Sequence, residues 1–361
     1  MLKFGIQNGL NVARLGLTED QILTACMLAD KTGYNSVWYM DHSNVPQWSK
    51  AIVNDPWVML AGIAAVTNNV ELGTCVTDAL RRHPSNIALA SITLDRLSKG
   101  RGTLGIGAGE AQNLKEFNIP FDKPVSKFEE QLQVIKMLYE SDPDNRKTWE
   151  GKYYQLTEAC LQAKAVREPH VPIYMASGGK RTLAMTGKYG DGWLPIGYTP
   201  ELFEDHKNQI VDSMNENERT EEDKQDFQMA VDIDVYFSED AETSWAKMKE
   251  AVKVSLFKPE ILRVHGLKEV EGFDFKKYFT EYSMSNQDWI VKMREAATTI
   301  PDKIARSSTG VGTPDDVIEV FEKFVQAGCN HFVIRFWGSN YFGSIDKFAS
   351  KVIPYFKDQE K

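Results

Sequence analysis

Long apolar runs are missing from this chain. No stretch approaches the roughly 20 consecutive apolar residues that a bilayer-spanning helix needs, so a membrane span is not expected. Positive charge is in short supply. Lys and Arg number 42 against 51 Asp and Glu, a formal net charge of −9. That argues against a nucleic-acid surface or a polybasic membrane anchor, but leaves room for an anionic ligand at a local site. Cysteine is sparse: Cys26, Cys75, Cys160 and Cys329 are scattered, without a CxxC pair, in apolar or strand-like surroundings. They read as free buried thiols of a protein in a reducing cytoplasm, with no metal site. No signal peptide is expected, because MLKFGIQNGL runs straight into a strand-like pattern. What remains is ordinary globular composition, 42% hydrophobic and 26% charged over 361 residues. That length suits one large α/β domain or two smaller ones.

The most informative stretch is Gly102 to Asn113, GTLGIGAGEAQN. It begins with β-formers and ends in a polar turn. Gly105, Gly107, Ala108 and Gly109 remove side-chain bulk where a strand meets its next helix, and Glu110, Gln112 and Asn113 follow. Small residues let a flat ligand approach the backbone, and a carboxylate with two amides can hydrogen-bond it. Alone, the run reads first as a glycine-rich junction with a solvated glutamate.

The rest of the chain gives that stretch a context. Strand patterns recur at 4–7, 36–40, 70–76, 102–107, 171–176, 191–194, 229–237 and 331–336. Helical patterns alternate with them. Thr18 with Gln21 forms a capping box, and Gly33 closes that helix. Asp55-Pro56 and Pro84 open two more helices with proline in the first turn. Ser126 is expected to cap the next, and Thr313-Pro314 to start a later one. Residues 141–170 read as an excursion with a hairpin around Gly151, and 240–300 as a charged helical insertion before the last repeat. Eight strands, nearly all alternating with helices and several of them apolar in unbroken runs, predict a parallel sheet covered on both faces. The fold class is α/β, a (β/α)8 TIM barrel forming one domain over 1–361. An open doubly wound sheet is the runner-up, but Gln7-Asn8-Gly9-Leu10 lacks its glycine fingerprint.

In such a barrel the active site lies at the C-terminal strand ends. That selects Gln7 and Asn8, Asp41 and His42, Cys75 and Val76, Gly109 and Glu110, Ser177 to Lys180, and Arg335. A histidine at a strand end can take a proton from a hydroxyl near neutral pH. Asp41 beside it can orient the ring or bind a ligand edge, or the pair simply begins a polar loop. Glu110 supplies a second proton-transfer group. The Ser177-Gly178-Gly179 turn offers backbone N–H groups to a phosphate, or is a plain strand-to-helix turn. Trp48, in the polar loop after His42, either covers a ring-shaped ligand or packs the loop.

Together these segments resemble the luciferase-like superfamily of barrel enzymes, in the branch that uses the deazaflavin coenzyme F420. The resemblance is carried by VWYMDH (37–42), ELGTCV (71–76), RLSKGRGTLGIGAGEAQN (96–113), PIYMASGG (172–179), GDGWL (190–194) and GTPDDVIE (312–319). Within the branch the chain is similar to the F420-dependent glucose-6-phosphate and secondary alcohol dehydrogenases and to the methylenetetrahydromethanopterin reductases. The reductase pattern has an aspartate where Glu110 stands, so Glu110 favours the dehydrogenases.

The resemblance implies roles. His42 would accept a hydroxyl proton, Glu110 would donate to the reduced ring, and Asp41 would touch the cofactor. Asn113, Gly109 and the Ser177-Gly178-Gly179 turn would hold the ring edge and the phosphate-bearing tail. The Cys75–Val76 bond falls where this family has a cis peptide beneath the flat ring. Trp48 stands six residues after His42, two further than the catalytic tryptophan of the dehydrogenases. The implied protein is an F420-dependent oxidoreductase acting on a small alcohol, sugar, carbonyl or pterin-bound carbon, cytoplasmic and a homodimer. The alternatives are a methylenetetrahydromethanopterin reductase, a luciferase-like monooxygenase using flavin mononucleotide (FMN), and a non-enzymatic barrel that binds a partner through 240–300.

Overall fold

The computed structural model describes residues 1–45, 51–277 and 287–359. Eight parallel strands close into a barrel: β1 (Lys3–Asn8), β2 (Ser36–Tyr39), β3 (Glu71–Thr74), β4 (Gly102–Gly107), β5 (Ile173–Ala176), β6 (Gly192–Trp193), β7 (Gln228–Phe237) and β8 (His331–Phe336). Each pairs with the next in sequence, and β8 returns to β1 through Gly5 opposite Val333. The closed sheet leaves no open edge in the ring, and the expected barrel is the one found.

The helix starts follow their sequence signals. Thr18 caps Glu19–Thr32 in a capping box with Gln21, and Thr313 does the same with Asp316 for Pro314–Gln326. Pro56 and Pro84 occupy first turns, where a missing N–H leaves no bond unmade. Ser126 is not a cap: the helix begins at Pro124 after Lys123, so the proline sets the start. Two short parallel strands went unpredicted. Thr77–Asp78 pairs with the end of β4, and Thr309–Gly312 pairs with the end of β7. Between β7 and Thr309–Gly312 lie the helices Ala241–Leu256, Pro259–Val264, Gln287–Ala297 and Asp302–Arg306.

Strand alternation sorts side chains between two cores. Outward residues such as Phe4, Ile6, Phe332 and Ile334 are fully buried under the helices. The Phe321 ring stacks on Phe332 with centroids 4.3 Å apart. Inward, two large rings fill the lumen: Trp38 and Tyr174, with centroids 5.2 Å apart, packed with Leu194, Ala230 and Val333. Glycine makes room for them. A Cβ at Gly73 would lie 2.4 Å from the Trp38 ring, and one at Gly192 would lie 2.8 Å from Tyr174. Beneath them Trp38 Nε1 donates to Ser36 Oγ at 2.8 Å, and Ser36 meets His331 Nε2 at 2.8 Å. Burial, with Lys3 adding to it, holds the His331 imidazole down to about 3, so this base layer is uncharged.

Candidate active site

Above the aromatic pair, the inward positions at the strand ends change character. Toward β4 and β5 they are small: a Cβ at Gly107 would meet Val76 Cγ2 at 3.1 Å and the Ala176 methyl at 3.5 Å. Toward β1, β7 and β8 they are polar or charged. Gln7 Nε2 donates to Asp232 Oδ2 at 2.9 Å. Arg335 Nε lies 3.2 Å from Asp232 Oδ1 and 2.8 Å from Asp234 Oδ1. Arg335 Nη2 donates to Asp234 Oδ2 at 3.0 Å, and Trp337 Nε1 to Asp234 Oδ1 at 2.5 Å. Burial, with the neighbouring Asp234, pushes the Asp232 carboxyl up to about 6, although Arg335 pulls the other way. Cys75 Sγ joins the cluster, 3.5 Å from Asp232 Oδ2 and 3.6 Å from Gln7 Nε2. The peptide bond from Cys75 to Val76 is cis.

Asp41 and His42 follow the end of β2. Asp41 is buried, and its carboxylate takes the Thr77 hydroxyl, Arg81 Nη2, and Arg82 Nη1 at 2.5 Å. Arg81 also reaches the Ser43 hydroxyl, while Arg82 Nη2 spans to Asp55 Oδ2 at 2.7 Å. The arginine pair therefore pins the backbone just before His42. His42 is half-buried, and its Nδ1 has no hydrogen-bond partner among the described residues. It faces a cavity of about 430 Å³ lined by Asp41, Ser43, Asp55, Arg81, Arg82 and Phe117, among others. That volume lies in the range of small-molecule sites.

Glu110 follows β4 and is exposed. Its carboxylate accepts from the Gln112 amide and from Asn113 Nδ2, the latter at 3.3 Å. Asn113 is buried, and its Oδ1 has no partner among the described residues. Gly109 turns the chain with φ +85°, bringing it onto Asp78. Asp78 Oδ1 accepts Leu80 N at 2.9 Å and Oδ2 accepts Glu110 N at 3.4 Å.

One short segment thus touches both arms. Thr77, Arg81 and Arg82 hold Asp41 beside His42, and Asp78 holds the amide of Glu110. His42 follows β2 and Glu110 follows β4, and the segment after β3 lies between them. The Ser177-Gly178-Gly179 turn lies at the end of β5, where Ser177 Oγ meets Thr186 Oγ1 at 2.8 Å. The Ser177 carbonyl accepts Trp193 Nε1 at 3.0 Å and Tyr198 Oη at 3.3 Å. Gly179 precedes the helix Lys180–Tyr189, and no side chain caps it. Trp48 lies outside the described residues.

Sequence reasoning missed Asp78, Arg81, Arg82, Asp232 and Asp234. The TDALRR run after the Cys75–Val76 bond carries no motif. The alternation in VDIDVYF was the available signal for an inward charged face, but it reads as a solvated one.

Comparison with known proteins agrees with the fold. The chain is 34% identical over 213 residues to a phthiodiolone/phenolphthiodiolone dimycocerosates ketoreductase of Mycobacterium tuberculosis; the match covers 54% of this chain and 55% of that protein. The chain thus spans about half the length of that curated relative. An F420-dependent glucose-6-phosphate dehydrogenase of Kineococcus radiotolerans is 27% identical over 330 residues, 90% of each chain. Among solved structures, an F420-dependent secondary alcohol dehydrogenase in complex with an F420-acetone adduct superposes with TM-score 0.80 at 20% identity, over 97% of this chain and 98% of that one. The coenzyme F420 dependent tetrahydromethanopterin reductase of Methanopyrus kandleri gives 0.76 at 22% identity, over 98% and 99%. The family model of luciferase-like monooxygenases matches residues 10–331, and with that match over most of the barrel the chain belongs to the luciferase-like family.

Proposed function

We propose that this protein is an F420-dependent oxidoreductase that moves a hydride between the deazaflavin and a small alcohol, sugar, carbonyl or pterin-bound carbon. The observation that carries this reading is the pairing of the His42 and Glu110 arms through Thr77–Arg82, with a cavity on the His42 side whose lining does not include Glu110. The relatives named for F420 support the choice of coenzyme.

The residues present fit such a group. Gly107 leaves a place beside Val76 and Ala176 that a methyl would fill. Asn113 Oδ1 is a buried polar atom whose capacity is unused among the described residues, and His42 Nδ1, likewise unpartnered, is left for the substrate. Asn113, Gly109, Asp41 and the cis-linked Cys75 and Val76 would border the ring, and Ser177, Gly178 and Gly179 would hold the phosphate-bearing tail. When bound, F420 supplies a ring carbon that accepts or gives up a hydride. The protein's part is to move protons and hold the reactants in register. The His42 imidazole takes the proton of a substrate hydroxyl, and Glu110 exchanges a proton from its carboxyl on the other arm. Arg81 and Arg82 keep Asp41, and with it the His42 backbone, from shifting.

Titrating the purified protein with F420 tests this by quenching of coenzyme fluorescence. Saturable quenching supports the reading, and its absence at micromolar protein overturns it. A yellow, oxygen-consuming preparation would select an FMN monooxygenase of the same family instead. A panel of secondary alcohols, sugar phosphates, ketones and methylene-tetrahydropterins separates the dehydrogenase, ketoreductase and pterin-reductase versions.

We also read residues 1–361 as one domain acting as a homodimer. Helices Pro56–Val66 and Pro84–Leu97 pack side by side, and the first carries no charged residue. Val58, Leu89 and Leu97 face outward at 72%, 45% and 56% exposure. Light scattering at a monomer mass would refute the dimer.

A further inference from the structure

The carboxylate of Asp78 is buried at 4% exposure between the two arms of the site, yet the proton transfers described above do not use it. Its surroundings are specific. Leu80 N donates to Oδ1 at 2.9 Å from the turn Ala79–Arg81, and Glu110 N donates to Oδ2 at 3.4 Å from the end of β4. Gly109 lies directly over it, and a Cβ there would stand 2.5 Å from Oδ1. The charged groups facing Asp78 are Arg81, on its own turn, and Glu110, across from it; Asp41 lies on the far side of Arg81. While Gln112 and Asn113 donate to the Glu110 carboxylate, Asp78 holds its backbone.

We propose that Asp78 is a positioning residue for Glu110: ionised, it draws the Glu110 amide down and fixes the Gly109–Glu110 turn; protonated, it lets that turn loosen. A carboxylate is a stronger acceptor than a neutral carboxyl, and at 3.4 Å the Glu110 contact is the longer of the two, so it is the one that loss of the charge releases. Taking up a proton also adds an O–H that must find its own acceptor in a dry place. Burial is the largest influence on this carboxyl. The negative charge of Glu110 adds to it, and together they outweigh Arg81 and the two amides, lifting the group to about 6. The turn therefore switches within the range of ordinary cytoplasmic and acid-stressed pH. The link to catalysis rests on the Glu110 role proposed above; the link to the turn does not.

Two readouts on the full-length protein test this. The first is hydrogen–deuterium exchange of the peptide containing Glu110 from pH 5 to pH 8, corrected for intrinsic exchange. In the wild type its protection falls at least fivefold as the pH drops through about 6. In Asp78→Asn it is low throughout and flat with pH, and Asp78→Glu restores part of the slope. The second is the dissociation constant of F420 by fluorescence quenching. It weakens over the same window in the wild type and loses that dependence in Asp78→Asn. Equal, pH-independent protection in wild type and Asp78→Asn overturns the proposal. Should Asp78→Asn fail to fold, the wild-type exchange profile decides, and a flat profile overturns it. If wild type binds no F420 at any pH while the exchange profile still switches, the coenzyme reading fails and the positioning role stands.

Discussion

Asp41 and Arg82 meet at 2.5 Å, with the carboxylate wholly shielded from solvent and the guanidinium only one-fifth exposed. Arg81 closes on the other carboxylate oxygen. Taking one partner from a buried pair leaves a charge without compensation, which typically costs about 3–5 kcal/mol. Asp41→Ala leaves Arg81 without a carboxylate and Arg82 with only Asp55, so its unfolding free energy in urea should fall by about that much at pH 7. A loss under roughly 1 kcal/mol would show that water already screens the pair.

His42→Ala should separate chemistry from binding. Turnover is expected to drop by about 10²–10⁴-fold, the usual contribution of general acid–base help. The F420 dissociation constant should stay within about threefold, because Asp41 and the arginines remain in place. Equal losses in rate and affinity would make His42 a binding residue.

Gly107→Ala probes where the ring lies. The new methyl would crowd Val76 Cγ2 at 3.1 Å, which a small side-chain shift relieves. Thermal unfolding should therefore move little, by about 1–2 kcal/mol at most, as for modest overpacking. Affinity for F420 should fall tenfold or more, since the methyl occupies the platform. Unchanged affinity would move the ring away from β4.

Acid pH should act on the charged cluster in a direction that can be worked out. The Asp232 carboxyl is raised in the fold to about 6, from an ordinary value near 3.8. The folded state thus holds its proton more tightly. The stability this contributes is fully present below about pH 4 and is lost as the pH rises through 6. Relative to Asp232→Asn, the wild type should gain about 1.4 kcal/mol per pH unit on going down from 6 to 4. Chemical denaturation of both proteins at pH 4.5 and 7 checks this, and a constant difference would refute it. His331 and His206 work the opposite way. Their folded values are depressed to about 3 and 4, so their contribution is present above about 6.5 and drains away as the pH falls.

The barrel was legible because several of its strands are unbroken apolar runs and several of its helices carry caps at their starts. Thr18 with Gln21 and Thr313 with Asp316 make the hydrogen bonds their spacing promised. Thr309–Gly312 escaped notice because TGVG has two glycines and no alternation; its strand character comes from main-chain pairing to β7. His42 and Glu110 could be found because strand ends are short lists. Asp78 could not, because its importance lies in the amide of a residue 32 positions away. Asp232 and Arg335 stand on neighbouring strands but about a hundred residues apart in sequence, and only the pairing of β7 with β8 makes them partners.

The stopper formed by Trp38 and Tyr174 has a kinetic corollary. Among the described residues, Trp38 and Tyr174 fill the barrel's lower half, so reactants approach from the strand-end rim. Whichever molecule lies deeper enters first and departs last, so the architecture itself dictates an order of arrival.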